Sequence, residues 1–377
     1  MDSRTGRLPP LLAAALALPW ALACCTATGG EEAVPGASLE APGRFETLVA
    51  HGLLSRFYLW PEEIPDVEKV WSVDELLAPV ADRWTWYSEP VAAEKAREEE
   101  ENPVVLPSGD PVPTVLSASA GPGISYLRVT QFRRVTMEKV AGDTSGTWLE
   151  FRKALRATAD DGATILDLRG NPGGNVDVCL GMADELVPGG RTLVFEEDAV
   201  SPWYGLPMRR AYPSKGGGLG ESRDFVILID GGSASCAEIF VAAVRGNRPR
   251  DVVVGTRSYG KGIGQSIWNT PGGGLLRITS LRLFAPDGSS WHRSGIAPDV
   301  EVSGSADQLA RAVEEARKML SRASAPAPSA AAGQALPDSA LRAFAALPAA
   351  AVPAPGTVAE TAIADGAAVL EELGLLP

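Results

Sequence analysis

The sequence predicts an α/β fold in which a mostly parallel sheet is flanked by helices and is preceded by a small N-terminal helical unit. Two observations carry this prediction. Short apolar runs that are typical of buried strands recur along the chain, at residues 164–168, 225–229 and 252–254. The first two runs lead through turns of small residues into apolar helical patterns, and strands that alternate with helices favour parallel pairing.

The N-terminal helical unit is predicted over residues 45–90. Apolar side chains recur at helical spacing over residues 45–60, until Pro61 interrupts the pattern. A second helix is predicted to begin near Ser72, which is a favoured residue type for a helix cap. The unit ends in aromatic residues that we interpret as core, with a substrate-lining role as the alternative: Trp84, Trp86 and Tyr87.

Residues 91–120 are predicted to form a linker, because a run of four glutamates is typical of a solvated segment and four prolines follow it. The core is predicted over residues 121–322. Its elements, in chain order, are expected to be a strand at 124–129, a helix at 148–158, the strand at 164–168, a helix at 176–186, the strand at 225–229, a helix after Ser235, the strand at 252–254, a β segment at 275–284 and a helix at 307–320.

The two ends of the chain are predicted to lie outside this core. Residues 1–24 resemble an export signal, in which two arginines precede a short apolar run. Two interpretations stay open: plain cleavage of the signal, or lipidation of Cys24 or Cys25 as a membrane tether. Both predict an exported protein, which is either periplasmic or anchored to a membrane that faces the periplasm. Residues 25–44 are predicted to form a flexible tether and residues 323–377 an Ala/Pro-rich, mostly disordered tail.

The composition limits the classes of partner. Hydrophobic residues make up 45% of the chain, which is ample for a core, and the net charge is −13. An acidic chain without a dense stripe of lysine and arginine argues against a nucleic-acid partner. Cys179 and Cys236 have neither disulfide-framework nor metal-site spacing, and we interpret them as buried apolar residues. We predict no metal, nucleotide or other cofactor.

Ser235 is the candidate nucleophile, because it lies where a predicted strand gives way to a helix. Neither histidine of the chain, His51 or His292, lies near this serine in sequence, so the candidate base is a lysine. Lys261 lies between two glycines beyond the strand at 252–254, and a lysine acts as a base when burial lowers its pKa from about 10.4. Gln265, four residues later, is the candidate acceptor that orients the amine.

The same turns supply candidate donors for a developing oxyanion. The N–H of Cys236 lies at the start of a helix, where backbone N–H groups are unpaired. Gly173 and Gly174 follow the strand at 164–168, and their backbone is expected to approach a ligand closely. Plainer interpretations remain for each motif: the serine run as a helix cap, the Gly-Lys-Gly segment as a simple turn, Cys236 as a minor alternative nucleophile and His292 as a rim residue.

Five ordered segments carry a resemblance to a known family: residues 123–132, 165–174, 226–238, 254–265 and 295–299. In these segments the chain resembles the carboxy-terminal processing peptidases, also called tail-specific proteases, over about residues 121–322, with a looser likeness over residues 45–88. The resemblance implies a crotonase-like α/β core and a serine endopeptidase with a Ser-Lys dyad. It also implies that Ser235 is the nucleophile, Lys261 the base and Gln265 the partner of the lysine.

The chain departs from the family pattern in two respects. Cys236 and Ala237 occupy small positions where family members usually have Ala and Ser. Only about 30 residues separate Tyr87 from Gly121, too few for a PDZ domain, so strict recognition of a chain terminus is not implied. We therefore predict an exported serine endopeptidase that acts on proteins or peptides. The alternative is a non-catalytic homologue that binds peptides or other ligands on the same fold.

Overall fold

The computed structural model describes residues 42–80, 82–101, 112–135, 139–140, 143–144, 146–199 and 208–322. The predicted export signal, the two candidate lipidation cysteines, most of the predicted tether and the predicted C-terminal tail lie outside these residues. None of the helices within the described ranges is both long enough and apolar enough to cross a membrane.

Helices and strands alternate through most of the described chain. The helices are α1 (Pro42–Phe57), α2 (Val73–Leu77), α3 (Pro90–Glu101), α4 (Thr147–Ala157), α5 (Val176–Asp184), α6 (Cys236–Asn247) and α7 (Ser305–Arg322). The strands are β1 (Trp86–Ser88), β2 (Val115–Gly121), β3 (Ile124–Val129), β4 (Lys139–Val140), β5 (Asp143–Thr144), β6 (Ala163–Asp167), β7 (Thr192–Asp198), β8 (Met208–Pro213), β9 (Asp224–Ile229), β10 (Val252–Gly255), β11 (Ile263–Asn269), β12 (Leu275–Phe284) and β13 (Val300–Glu301).

A six-stranded sheet forms the centre of the fold, with strand order β13-β10-β9-β6-β3-β2. All neighbouring strands are parallel except β2, which pairs antiparallel with β3. The predicted α/β class with a mostly parallel sheet is therefore confirmed. Because β6, β9 and β10 run in the same direction, the turns that follow them meet at one edge of the sheet. This edge carries residues 170–174, 230–235 and 256–262.

The inner strands of the central sheet, β3, β6, β9 and β10, are almost entirely buried, which explains why apolar residues predominate in them. In β9, Val226 and Leu228 pack on the face covered by α7. Ile227 and Ile229 point the other way and pack with residues of α5 and α6. The alternation follows from the two-residue period of a strand. Burial of β9 from both sides fixes its register and therefore the position of the turn that follows it.

A second, antiparallel sheet was not predicted from the sequence. In this sheet β12 pairs with β11 along most of its length, and on its other side with β1 and then with β7, which also pairs with β8. The sequence analysis identified only β12 of these strands. Residues of β8 are alternately half-buried and exposed, and β11 begins among glycines, so neither has the apolar run that marks a buried strand.

The N-terminal unit is not purely helical, which corrects the prediction. Its helices α1 and α2 form as expected, and the Ser72 hydroxyl accepts a hydrogen bond from the Glu75 N–H as the cap of α2. However, β1 joins the second sheet, with Trp86 opposite Arg277, and α1 packs its apolar face against Leu276 of β12. The predicted linker also contains structure, because it includes α3 and ends in β2.

Candidate active site

Ser235 lies at the junction between β9 and α6, as predicted. It is partly exposed, whereas the residues on either side of it, Ala234 and Cys236, are fully buried. Its backbone has φ 54° and ψ −114°. An ordinary helix cap is extended, so the capping interpretation explains the position of Ser235 but not this conformation. A non-glycine residue at positive φ is strained by about 1–3 kcal/mol, and such strain is concentrated at functional sites.

Glu238 connects the serine turn to the lysine turn, a role that the sequence analysis did not assign. Its side chain is fully buried in the first turn of α6. One carboxylate oxygen accepts the N–H of Ser235 at 3.0 Å and the N–H of Lys261 at 2.7 Å. The other accepts the Ser258 hydroxyl and the Gly260 N–H, each at 2.6 Å. Burial raises the pKa of Glu238, and these hydrogen bonds oppose that rise.

A sequence signal for Glu238 did exist. The residue lies three positions after Ser235, the spacing of a capping box, on a helix whose other residues up to Val244 are all apolar. A carboxylate on such a helix is buried at high cost unless several donors satisfy it. The spacing predicts its bond to the Ser235 N–H, but the bonds to the lysine turn depend on tertiary contact.

Lys261 and Gln265 are brought together as predicted. The Nζ atom of Lys261 donates a hydrogen bond to Oε1 of Gln265 at 3.2 Å. Gln265 lies on β11 and not on a loop, next to an irregularity in the β11–β12 register at Gly264. Burial is the largest of the effects that lower the pKa of Lys261 to about 8. In the described part of the chain, no hydrogen bond joins Lys261 Nζ to Ser235 Oγ.

The turn after β6 packs directly against the serine turn. A β-carbon on Gly173 would lie 2.8 Å from Cβ of Ser235, so a side chain there would displace the serine. Asn171 is buried and joins the two turns, because its carbonyl oxygen accepts the Ala234 N–H at 2.9 Å. Its amide nitrogen donates to the carbonyl of Val129 on β3. The turn is thereby held between the sheet and Ser235.

The three predicted oxyanion donors differ in their hydrogen bonding. The N–H of Gly173 donates to Oδ1 of Asn171 at 2.8 Å. Among the described residues, the N–H groups of Gly174 and Cys236 have no hydrogen-bond acceptor. Gly174 and Cys236 also contact each other, since the Cys236 thiol donates to the carbonyl oxygen of Gly174 at 3.0 Å. The geometry therefore favours Cys236 and Gly174 over Gly173 as donors.

The remaining candidates lie outside this constellation. His51 contacts Ser55 on α1, and His292 packs its backbone against Gly262. Burial lowers the pKa of His292, which favours the neutral imidazole. Cys179 is fully buried, and burial raises the pKa of its thiol, as expected of an unreactive cysteine.

Comparison with known families gives a match in the region that builds this site. The sequence model of peptidase family S41 matches residues 123–302, which include all six predicted site residues. Residues 123–302 belong to peptidase family S41. This S41 region begins at β3 and continues to the end of β13, so it leaves α1, α2 and β1 outside. Residues 89–114, between β1 and β2, are too few for an inserted domain such as a PDZ domain.

Curated relatives of the S41 region carry protease names. The Probable CtpA-like serine protease of Staphylococcus aureus (strain COL) is 32% identical over 183 residues, which are 48% of this chain and 35% of the relative. The protein of the same name from Staphylococcus epidermidis is 32% identical over 184 residues, with the same coverage. The chain thus spans about a third of the length of the curated relatives it matches.

Solved structures share the fold of the S41 region and its surroundings. The photosystem II D1 C-terminal processing protease matches with a TM-score of 0.52 and 16% identity, over 70% of this chain and 94% of that protein. A lipoprotein from Streptococcus agalactiae matches with a TM-score of 0.50 and 15% identity, over 76% of this chain and 99% of that protein. At these identities the likeness is one of fold alone.

Proposed function

We propose that the protein is a serine endopeptidase in which Ser235 attacks peptide bonds and Lys261 is the general base. The observation that carries the proposal is the environment of Lys261. Burial lowers its pKa to about 8, Gln265 accepts a hydrogen bond from its amine, and Glu238 ties its backbone to that of Ser235. At pH 7 about a tenth of such an amine is uncharged, compared with less than a thousandth at an ordinary lysine pKa.

The reaction would run through an acyl-enzyme. The uncharged Lys261 amine takes the proton of the Ser235 hydroxyl, and Oγ forms a bond to the carbonyl carbon of the substrate. The oxyanion that develops accepts the N–H groups of Cys236 and Gly174. Lys261 then gives its proton to the leaving amine as the peptide C–N bond breaks. Water attacks the ester with the same residue as base, which releases the acid and restores Ser235.

The first step requires the lone pair of the Lys261 amine to reach the Ser235 hydroxyl, while one of its N–H groups can stay bonded to Gln265. The amine is bonded to Gln265 Oε1 and not to Ser235 Oγ, and catalytic hydrogen bonds are often long before a substrate binds. Lysine has a flexible four-carbon side chain, so its amine moves between the two oxygens at low energetic cost. We propose that a bound peptide excludes water from the turn and brings the amine to the serine.

The direct test is cleavage of an unfolded protein by the full chain. We expect internal cleavage products with new termini, which mass spectrometry identifies. The cleavage should persist in the presence of a chelator, because the proposed nucleophile is a side chain of the protein itself and not a metal-bound water. If the chain binds the unfolded protein but produces no new termini between pH 6 and pH 10, it is the non-catalytic binding homologue and not a peptidase.

The pH dependence of kcat/KM tests the role of Lys261. Only the deprotonated amine accepts a proton, and its pKa is about 8. The rate is therefore expected to rise about tenfold per pH unit below pH 8 and to level off above it. The measurement is kcat/KM for a fluorogenic peptide from pH 6 to pH 10. A rate that stays constant over this range would remove Lys261 from the role of base.

We further propose that the protein is exported and acts on polypeptides outside the cytoplasm. The support is the sequence pattern of residues 1–24, which precedes the described residues. Fractionation of cells that express the full chain, followed by mass determination of its mature N-terminus, distinguishes plain cleavage from lipidation at Cys24 or Cys25. A full-length chain that retains Met1 in the cytoplasm would contradict export.

A further inference from the structure

The N-terminal unit places an aromatic ring over the candidate base. The Nζ atom of Lys261 lies 4.1 Å from the centroid of the Trp84 ring. Trp84 precedes β1 and lies outside residues 123–302, which match family S41. The sequence analysis assigned it to the core, with a substrate-lining role as the alternative. Neither interpretation describes a ring in contact with the amine that is proposed to start the reaction.

The turn that carries Trp84 is fixed by specific hydrogen bonds. The N–H of Trp84 donates to one carboxylate oxygen of Asp82 at 2.9 Å, and the hydroxyl of Thr85 donates to the other at 2.8 Å. The Thr85 hydroxyl also accepts the N–H of Thr279 on β12 at 3.0 Å. Since β12 pairs with β11, which begins just after Lys261, the ring and the amine are held in one hydrogen-bonded frame.

The ring also contacts the lysine turn itself. Trp84 packs edge-on against Tyr259, with ring centroids 6.1 Å apart. The guanidinium of Arg83 lies 4.8 Å from the Trp84 ring and 5.2 Å from the Tyr259 ring, and so covers both. The N–H of Tyr259 donates to the carbonyl of Ser233, two residues before the candidate nucleophile. Trp84 therefore lies against the turn that connects the base to the nucleophile.

A ring over an amine has two opposing effects. Its negative face attracts the ammonium ion, which favours the charged form. It also displaces water, which disfavours the charged form. At Lys261 the exclusion of water is the larger effect, because the pKa is lowered and burial is its first cause. Four other side chains shift the pKa of Lys261 through their charge. Cys236, Asp82 and Glu238 raise this pKa, and Arg277 lowers it.

We propose that Trp84 is a positioning residue of the active site, whose ring covers the Lys261 amine and shields it from water. The proposal rests on the proposed peptidase function. It gives the N-terminal unit a part in the reaction, because Trp84 belongs to that unit and lies outside the S41-matched residues. The role is one of preparing the base, since Trp84 itself transfers no proton.

The test compares three substitutions by the pH profile of kcat/KM in the full chain. Trp84→Ala removes the cover, so the amine regains water and the rising limb of the profile moves to higher pH. A shift of one pH unit lowers kcat/KM at pH 7 about tenfold and leaves the alkaline plateau close to wild type. Trp84→Phe keeps both the cover and the ring face, and its profile should match that of wild type. The matched control is Trp71→Ala, which removes a tryptophan that is 67% exposed on the same unit.

A second readout does not depend on catalysis. Acetylation of Lys261 by a trace of acetic anhydride, followed by mass spectrometry across pH, reports the titration of this amine directly. We expect half-maximal labelling near pH 8 in wild type and in Trp71→Ala, and at higher pH in Trp84→Ala. This measurement works on a chain that cleaves nothing, so a failed peptidase assay and a failed role for Trp84 are distinguishable.

Two outcomes would overturn the proposal. The first is a Trp84→Ala chain that is folded by circular dichroism, loses activity at every pH and labels at the wild-type pH, because Trp84 then acts only through packing. The second is a profile of Trp84→Ala that coincides with that of wild type. If the alanine variant does not fold, Trp84→Gln takes its place, because glutamine keeps some of the bulk but admits water. Its pH profile is expected to show the same upward shift. A Trp84→Gln profile without that shift overturns the proposal as well.

Discussion

Replacing Ser235 with alanine is expected to lower kcat for peptide hydrolysis by about 10⁶-fold, the largest effect of any single substitution in this chain. The change removes the oxygen that forms the acyl-enzyme, and a methyl group cannot replace it. In the residual reaction a water molecule attacks the carbonyl, and the oxyanion donors still stabilise the oxyanion that forms. The measurement is single-turnover cleavage of a fluorogenic peptide at pH 9, where the Lys261 amine is mostly uncharged.

Substitutions of Lys261 serve as controls for Ser235→Ala. Lys261→Ala should cost nearly as much as Ser235→Ala, and the double variant should be no slower than Ser235→Ala alone, because the two residues act as a unit. Lys261→Arg keeps the positive charge and nearly the length of the side chain, but a guanidinium does not lose its proton in proteins. It should therefore be as slow as Lys261→Ala. A rate for Lys261→Arg within tenfold of wild type would contradict base catalysis by this residue.

The fold was predictable where local patterns were strong. The strands β6, β9 and β10 were found because burial on both faces makes them predominantly apolar, and α7 because its apolar residues recur at helical spacing. The edge strand β8 was missed because its residues alternate between half-buried and exposed. The pairing of β1 with β12 joins residues about 190 positions apart, and no local pattern contains such a contact.

The site was predictable to a similar degree. Residue type and spacing made Ser235, Lys261 and Gln265 the candidates, and the structure brings the last two into hydrogen-bond contact. The contact of Trp84 with Lys261 was not predictable, because aromatic residues in an apolar unit are ordinarily core. The choice of Gly174 over Gly173 as a donor also needed coordinates, since it depends on where the Asn171 side chain points.

Replacing Glu238 with glutamine is the second substitution with a large expected effect, because Glu238 joins the turn of Ser235 to the turn of Lys261. One carboxylate oxygen accepts two N–H groups, from Ser235 and from Lys261, and the other accepts the Ser258 hydroxyl and the Gly260 N–H. Glutamine presents an NH₂ group to one of these pairs. If the NH₂ faces Ser258 and Gly260, it can donate to the Ser258 hydroxyl, and the Gly260 N–H lacks an acceptor. If it faces Ser235 and Lys261, both of their N–H groups lack an acceptor.

Both stability and activity should fall in Glu238→Gln. Each unsatisfied buried donor costs about 1–3 kcal/mol and one or two donors are left unsatisfied, so the free energy of unfolding should fall by roughly 1–6 kcal/mol. The activity should fall by about 10²–10³-fold at pH 9 among the molecules that remain folded, because a displacement of about 1 Å at the reacting atoms has that effect. The measurements are urea unfolding and kcat/KM corrected for the folded fraction.

The control for Glu238 is Glu150→Ala, because stability alone must be separated from catalysis. Glu150 is also a buried glutamate whose one oxygen accepts several donors, from the Thr114 N–H, the Thr114 hydroxyl and the Val115 N–H. It holds β2 to α4, and none of its bonding partners is a proposed site residue. Glu150→Ala removes the acceptor of all three donors and should therefore lose stability but keep wild-type kcat/KM per folded molecule. If both variants lose activity only in proportion to their unfolded fraction, Glu238 stabilises the fold and does not align the catalytic turns.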